Sequence, residues 1–345
     1  MARILLVGGG GYVGAVLAQE LIERGYAVRI LDRFYFGEQG LDSIRDRVEL
    51  IRGDMRQVAP VVLADVDTVV NIGGLSNDPT AEYNPKANQE MNTNASVHLA
   101  KLCQEHGVPR YLFASSCSIY DRGVADEERD VLLDENADVD PRAAYSSSKF
   151  AAERELLAMA SPTFTVVVMR KATLFGFSPR MRYDLVVNTF VKDALGKGYL
   201  TLHYGGEMWR PLADVRDAAR AYTLLIQADP KVVNGQVLNL VYRNFRISEV
   251  ALRVREALRH MGLTADIRTD YSYKGVRNYR VSGRKMEILL NFQPAVSIEE
   301  SVQTMVEEIR RHNYTDFDNP RYYNIRWMKA LEEAQQVIAT TGSVF

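Results

Sequence analysis

The sequence predicts an α/β protein built on a doubly wound parallel sheet, with a smaller C-terminal region at the sheet's edge. A glycine-rich turn follows the first apolar run, and a carboxylate closes the second. Apolar runs then alternate with helical stretches through the first half of the chain, the rhythm of strand and crossover helix.

The first run, residues 4–7 (Ile-Leu-Leu-Val), is short and uninterrupted, as a strand buried on both faces should be. Gly8-Gly9-Gly10-Gly11-Tyr12-Val13-Gly14 follows and opens a helical pattern. Glycines at 8, 11 and 14 permit a tight turn, close approach to a pyrophosphate, and close packing of helix on strand. The helix N-terminus adds unpaired N–H donors and a positive dipole end. The second run, 28–31, ends at Asp32, about twenty residues on, where a carboxylate binds an adenosine ribose diol. Gly8, Gly11, Tyr12, Val13, Gly14 and Asp32 are thus a candidate dinucleotide cradle. Asp32 selects NAD over NADP because a 2′-phosphate would meet its charge; Arg33 beside it keeps NADP as the lesser alternative.

Further strands are expected at 48–51, 68–72, 110–114 and 165–169. Helices are expected at 88–106 and 145–159; Leu99, Leu102 and Cys103 share a face of the first and read as core. Beyond 169 the rhythm loosens into a helix at 185–195, a strand at 199–202, a helix at 215–227 and a returning strand at 236–241. Helices at 248–260, 298–311 and 325–337 complete a C-terminal cap. This divides the chain into a dinucleotide domain, 1–175 plus the returning strand, and a mainly substrate-binding region, 176–345.

The chain has 345 residues, 47% hydrophobic and 25% charged, with a formal net charge of −2. It offers no electrostatic reason to expect nucleic acid or an anionic membrane as a partner. No apolar stretch approaches the ~20 residues that span a bilayer. The first apolar run is broken by glycines and reads as a strand rather than a signal peptide, so a cytoplasmic location is expected. Two cysteines, Cys103 and Cys117, and scattered histidines give neither a disulfide framework nor a metal site.

Tyr145-Ser146-Ser147-Ser148-Lys149 puts a phenol and an amine one helical turn apart on one face. Ser115-Ser116-Cys117-Ser118 ends the preceding strand. A phenol, ordinarily titrating near ~10, becomes a usable base when cations lie close. Tyr145 could then exchange a proton with a substrate hydroxyl while Ser116 bonds the same oxygen and Lys149 holds the nicotinamide ribose.

With these motifs in order, the sequence resembles the extended short-chain dehydrogenases/reductases, specifically the NAD-dependent nucleotide-sugar epimerase/dehydratase group, over about residues 3–310. The resemblance implies a Rossmann sheet and a catalytic set of Ser116, Tyr145 and Lys149. It adds cofactor contacts from Asp54 and Met55, from Ile72, Gly73 and Gly74, and from Asn92 and Ser115. It also implies substrate contacts from Ser76, Ser116 and Cys117, from Asn188, from Arg210 in Trp209-Arg210-Pro211, and from Arg277. Arg170-Lys171-Ala172-Thr173-Leu174-Phe175-Gly176 resembles the strand and loop entering the sugar-nucleotide site. Where 4,6-dehydratases of this group carry an acidic pair after the strand-end serine, this chain has Cys117 and Ser118, so dehydration lacks its general acid. Asp214 replaces the histidine of many relatives.

The expected activity is C4 epimerisation of a nucleotide-diphosphate sugar through a transient 4-keto sugar, with a ketoreductase or dehydrogenase using exchangeable NAD(P)H as the alternative. A non-enzymatic dinucleotide sensor is disfavoured by the intact Ser116, Tyr145 and Lys149. The resemblance also implies a homodimer formed by the helices at 88–106 and 145–160. Sugar specificity is expected from loops 75–87, 175–184 and 270–279.

Overall fold

A computed structural model of the protein describes residues 1–76, 78–121, 131–272 and 277–343; parts of two of those specificity loops, residues 77 and 273–276, lie outside the described residues. Along the chain the strands are β1 (Arg3–Val7), β2 (Ala27–Asp32), β3 (Val48–Arg52), β4 (Thr68–Asn71), β5 (Arg110–Ser116), β6 (Leu132–Leu133) and β7 (Thr165–Lys171). They continue as β8 (Thr173–Phe175), β9 (Tyr199–His203), β10 (Trp209–Asp214), β11 (Gln236–Leu240), β12 (Arg243–Arg246), β13 (Asp266–Asp270) and β14 (Arg280–Val281). The helices are α1 (Tyr12–Glu23), α2 (Asp78–Tyr83), α3 (Pro85–Gln89), α4 (Ala95–Glu105), α5 (Ala144–Ala158) and α6 (Val186–Lys197). The remainder are α7 (Val215–Gln227), α8 (Pro230–Val233), α9 (Ile247–His260), α10 (Arg284–Leu290), α11 (Ile298–Arg311) and α12 (Asn324–Thr341).

Seven strands form the central sheet in the order β11-β7-β5-β4-β1-β2-β3, every neighbouring pair parallel. This is the doubly wound sheet read from the sequence. The chain first moves outward from β1 to β2 and β3, then crosses to β4 on the other side. Between β1 and β4 the order reverses, and there the carboxyl ends of the strands open a crevice for ligands.

Because successive strand residues face opposite ways, β1 supplies both cores. Ile4 and Leu6 pack with Leu17 and Leu21 of α1 and with α7; Leu5 and Val7 pack with Leu99 and Cys103 of α4 and Leu156 of α5. Each such buried aliphatic side chain contributes about 1.5–3 kcal/mol. A third core joins Phe175 and Tyr183 to α6, α9 and α11 beside the sheet.

Two features depart from the periodicity of the sequence. The expected single helix 88–106 is α3 and α4 joined by a π-helical turn, Glu90–Asn94. Within it, Thr93 Oγ1 donates to the Ser148 carbonyl at 2.8 Å, bracing the helix against α5. The C-terminal region also contains small sheets not expected from its pattern, β12-β10-β8 and the pairs β13-β9 and β14-β6. Of their strands only β9 was expected, at 199–202; β6, β8 and β14 are two or three residues long, and Arg243–Arg246 is too polar to show an alternating signal.

Arg170 and Glu153 form a buried pair that fastens α5 to β7: Nη2 donates to Oε2 at 2.6 Å, and Nε donates to both carboxylate oxygens at 3.1 Å. Removing one member leaves the other charged, buried and unpaired. Glu153→Ala is therefore expected to lower unfolding free energy by about 3–5 kcal/mol, read from urea unfolding midpoints; a loss below about 1 kcal/mol would show that the pair does not carry this load.

Candidate active site

At the switch point a cavity of about 370 Å³ runs from the glycine turn to the end of β5. Gly8, at φ +84°, begins the turn; a Cβ there would stand 2.6 Å from the Gly73 Cα, so only glycine lets the loops after β1 and β4 approach so closely. At Gly14 a Cβ would lie 2.5 Å from Gly9, which fixes how closely α1 follows the turn. Gly11, Tyr12 and Val13 line the cavity at the N-terminus of α1, where orphan N–H groups favour an anion.

Asp32 lines the same cavity. Its Oδ2 accepts from Gly10 N at 2.9 Å and its Oδ1 from Phe34 N at 2.7 Å, so one carboxylate shapes the turn and faces the cleft. Burial raises its pKa, while those backbone donors and Arg180 oppose the shift. Arg33 also lines the cleft, but its guanidinium pairs with Asp54 at 3.1 Å and lies over the Tyr35 ring. Met55, Ile72, Gly73, Gly74, Ser76 and Ser115 complete this wall. A narrow glycine cradle, a ribose-facing carboxylate and an arginine already claimed by Asp54 fit a dinucleotide without a 2′-phosphate.

The catalytic candidates meet at the other end. Ser116 ends β5, and its Oγ accepts from Ser118 N at 3.1 Å, leaving its proton for the Tyr145 phenol, to which it is hydrogen-bonded. Burial raises the Tyr145 pKa to about 12, against the pull of Arg182 and the Ser116 hydrogen bond. Lys149, one turn along α5, lies below the cavity wall with Nζ 4.8 Å from the Phe113 ring centroid. Burial, with Lys171 adding like-charge repulsion, lowers its pKa to about 7.

Several residues expected to touch ligand instead support those that do. Cys117 is a correction: it is fully buried and its Sγ donates to the Arg170 carbonyl at 3.2 Å, because the chain turns its side chain into the sheet layer. Asn188 is also fully buried and clamps the loop after β8: its Oδ1 accepts from Gly176 N at 2.9 Å and its Nδ2 donates to the Arg182 carbonyl at 2.9 Å. Asn92 donates to the Leu75 carbonyl at 3.0 Å, beneath the cofactor wall. Asp54 is held by Arg56 and Arg33 outside the lining, between Gly53 and Met55, which do line it. Arg210 lies beyond the cavity and donates to the Arg277 carbonyl at 2.7 Å. Arg277 lines the cavity and pairs with Asp78 and Asp121.

Other contributors carry no individual role in the sequence reading, Lys171 entering it only as part of the segment 170–176. Lys171, Arg180 and Arg182 bring positive charge to the cavity. The N-terminal end of α12 covers it: Asn324 and Met328 line it, Asn324 Nδ2 donates to Ser76 Oγ at 2.6 Å, and Trp327 Nε1 donates to the Tyr35 carbonyl at 2.5 Å. The segment Pro179-Arg180-Met181-Arg182 was the available signal for the arginines; nothing local in α12 announces its position.

Residues 4–240 match the model of the NAD dependent epimerase/dehydratase family. The chain belongs to that family. NAD is the cofactor of this family, as the cleft's donors indicate. The chain is 25% identical to UDP-glucuronic acid decarboxylase 1 of Xenopus tropicalis, over 90% of this chain and 72% of that one. In structure it resembles UDP-glucose 4-epimerase of Thermotoga maritima, with a TM-score of 0.78 and 21% identity, covering 90% of this chain and 99% of that one. UDP-glucuronic acid 4-epimerase of Bacillus cereus, in complex with UDP-glucuronic acid and NAD, gives 0.77 and 20%, with coverage of 90% and 99%.

The depressed pKa of Lys149 has a consequence for stability. Between its folded value of about 7 and its ordinary 10.5, the unfolded chain holds a proton that the folded chain lacks, so this group's contribution to stability rises with pH. The melting temperature of Lys149→Met, relative to the unmodified protein, should therefore be most favourable near pH 7 and decline as pH approaches 10. A difference independent of pH would place Lys149 in contact with water.

Proposed function

We propose that the protein is a nucleotide-sugar C4 epimerase. The observation that carries this reading is the Ser116–Tyr145 pair, hydrogen-bonded at the cavity wall with Lys149 one helical turn away. Tyr145 takes the proton of the C4 hydroxyl, and Ser116 donates to the same oxygen to hold it in line. Arg182 and the Ser116 hydrogen bond favour the phenolate that this step needs, against the burial that raises its pKa. Bound NAD supplies the hydride acceptor, and later the donor, at C4. After oxidation Tyr145 stands ready as an acid, returning its proton to the 4-keto oxygen once the sugar has turned.

Two further observations support epimerisation over other outcomes. No carboxylic acid follows Ser116: Cys117 is buried, with its thiol pKa pushed up by that burial, and Ser118 is buried too. Elimination of water would lack a proton donor there. Asn324 and Met328 of α12 line the cleft together with Tyr35 and Phe36, and this added wall suits a cofactor retained through many turnovers. The names of the relatives, which include UDP-sugar decarboxylases and 4-epimerases, support a nucleotide-diphosphate sugar as substrate.

Tyr145→Phe removes the proton carrier while keeping the ring. Turnover of UDP-glucose or UDP-glucuronate should fall by about 10²–10⁴-fold, with NAD content after purification unchanged by mass spectrometry of the denatured protein. Loss of NAD or of the folded state would assign Tyr145 a structural role instead.

A further inference from the structure

Lys171 is the last residue of β7 and stands in register with Ser116 on β5. In-register residues of neighbouring parallel strands project to the same side, so Lys171 leaves the sheet on the Ser116 side, and both line the cavity with Tyr145. It lines the cavity, and among the described residues no carboxylate pairs with it. Arg182, close enough for its charge to act on Lys171, is 8% exposed and also lines the cavity. Arg182 Nε is bound by Asp184 at 2.8 Å, but its Nη2 is buried without a hydrogen-bond partner.

Burial and the repulsion of Arg182 together lower the Lys171 pKa to about 8, and Lys171 in turn disfavours the charge on Lys149. Glu153, the acid nearest Lys149 on α5, is occupied by Arg170. The sugar end of the cleft thus has an excess of cations and a buried donor with nothing to bind. Such an arrangement costs stability unless an anion completes it.

The position of the cations decides which anion. In a nucleotide-diphosphate hexose the diphosphate sits on C1, across the ring from C4, whereas the C6 substituent sits on C5, next to C4. A cation beside the residues that handle the C4 oxygen is therefore placed for a group at C6. We propose that Lys171 and Arg182 form a carboxylate subsite, and that the substrate is a nucleotide-diphosphate uronic acid. This rests on the C4 chemistry proposed above. Lys171 donates to one carboxylate oxygen, and the free Arg182 Nη2 donates to the other.

The test compares binding of UDP-glucuronate and UDP-glucose to the NAD-loaded enzyme by calorimetry, with turnover of both measured in parallel. The unmodified enzyme should bind the uronate at least tenfold more tightly. Lys171→Met should reduce that preference by about 10–100-fold, Lys171→Arg should restore most of it, and NAD content should stay constant. Equal binding of the two sugars by the unmodified enzyme would overturn the subsite without any variant having to fold. So would a Lys171→Met variant that weakens both sugars equally, or one that releases NAD, since the cation would then serve the diphosphate or the cofactor. A uronate preference that persists where no C4 conversion occurs would leave the subsite standing and remove the epimerase reading.

Discussion

The Arg170–Glu153 pair is the constraint on which the site's geometry rests. Arg170 sits one residue before Lys171 on β7, in register with Ser115 on β5, and its guanidinium reaches Glu153 on α5, the helix that carries Tyr145 and Lys149. Its Nη1 also donates to Tyr120 Oη at 2.8 Å, and Tyr120 donates to Asn239 on β11 at 3.0 Å. One side chain thus ties together the end of β5, the catalytic helix, β7 and β11. An ion pair this deeply buried repays its desolvation only when its donors and acceptors are well satisfied, as they are here. It gives the phenol and the serine a fixed distance rather than a flexible one.

With that frame in place, burial does the chemical tuning. The same exclusion of water raises the Tyr145 phenol and lowers the Lys149 and Lys171 amines. Each shift disfavours a charge in the desolvated cleft, and each is opposed by a ligand of opposite sign. Lys171, Arg180 and Arg182 bring cations to the cleft, and the N-terminus of α1 lines it near the glycine turn. On the function proposed above, binding and activation are coupled: an anionic ligand supplies the counter-charge that stabilises Lys149 as an ammonium, and an ammonium there would favour phenolate at Tyr145.

What could be read from sequence is what depends on neighbours along the chain. The glycine turn, Asp32 some way beyond it and the Tyr145–Lys149 spacing are local patterns whose physics needs only one strand, one turn or one helical face. The helices at 215–227 and 298–311 were visible for the same reason, since each repeats its apolar face several times. Side-chain direction at a turn is not local, and Cys117 was accordingly assigned to substrate although it points into the core. Asn188 and Arg210 look like ligand donors by type, yet their bonds go to the protein's own carbonyls. Lys171, Arg182 and α12 converge only through strand register and the folding back of the C-terminal segment, which no window of sequence contains.

On the function proposed, one chain with its retained NAD oxidises and then reduces C4 of a nucleotide sugar. The most direct measurement follows deuterium placed at C4 of UDP-glucuronate, incubated with the purified protein without added cofactor and analysed by NMR. Product with inverted configuration at C4 and deuterium still on that carbon is the expected result. Deuterium lost to an added NAD(P) pool, or conversion that requires added NADH or NADPH, would contradict it.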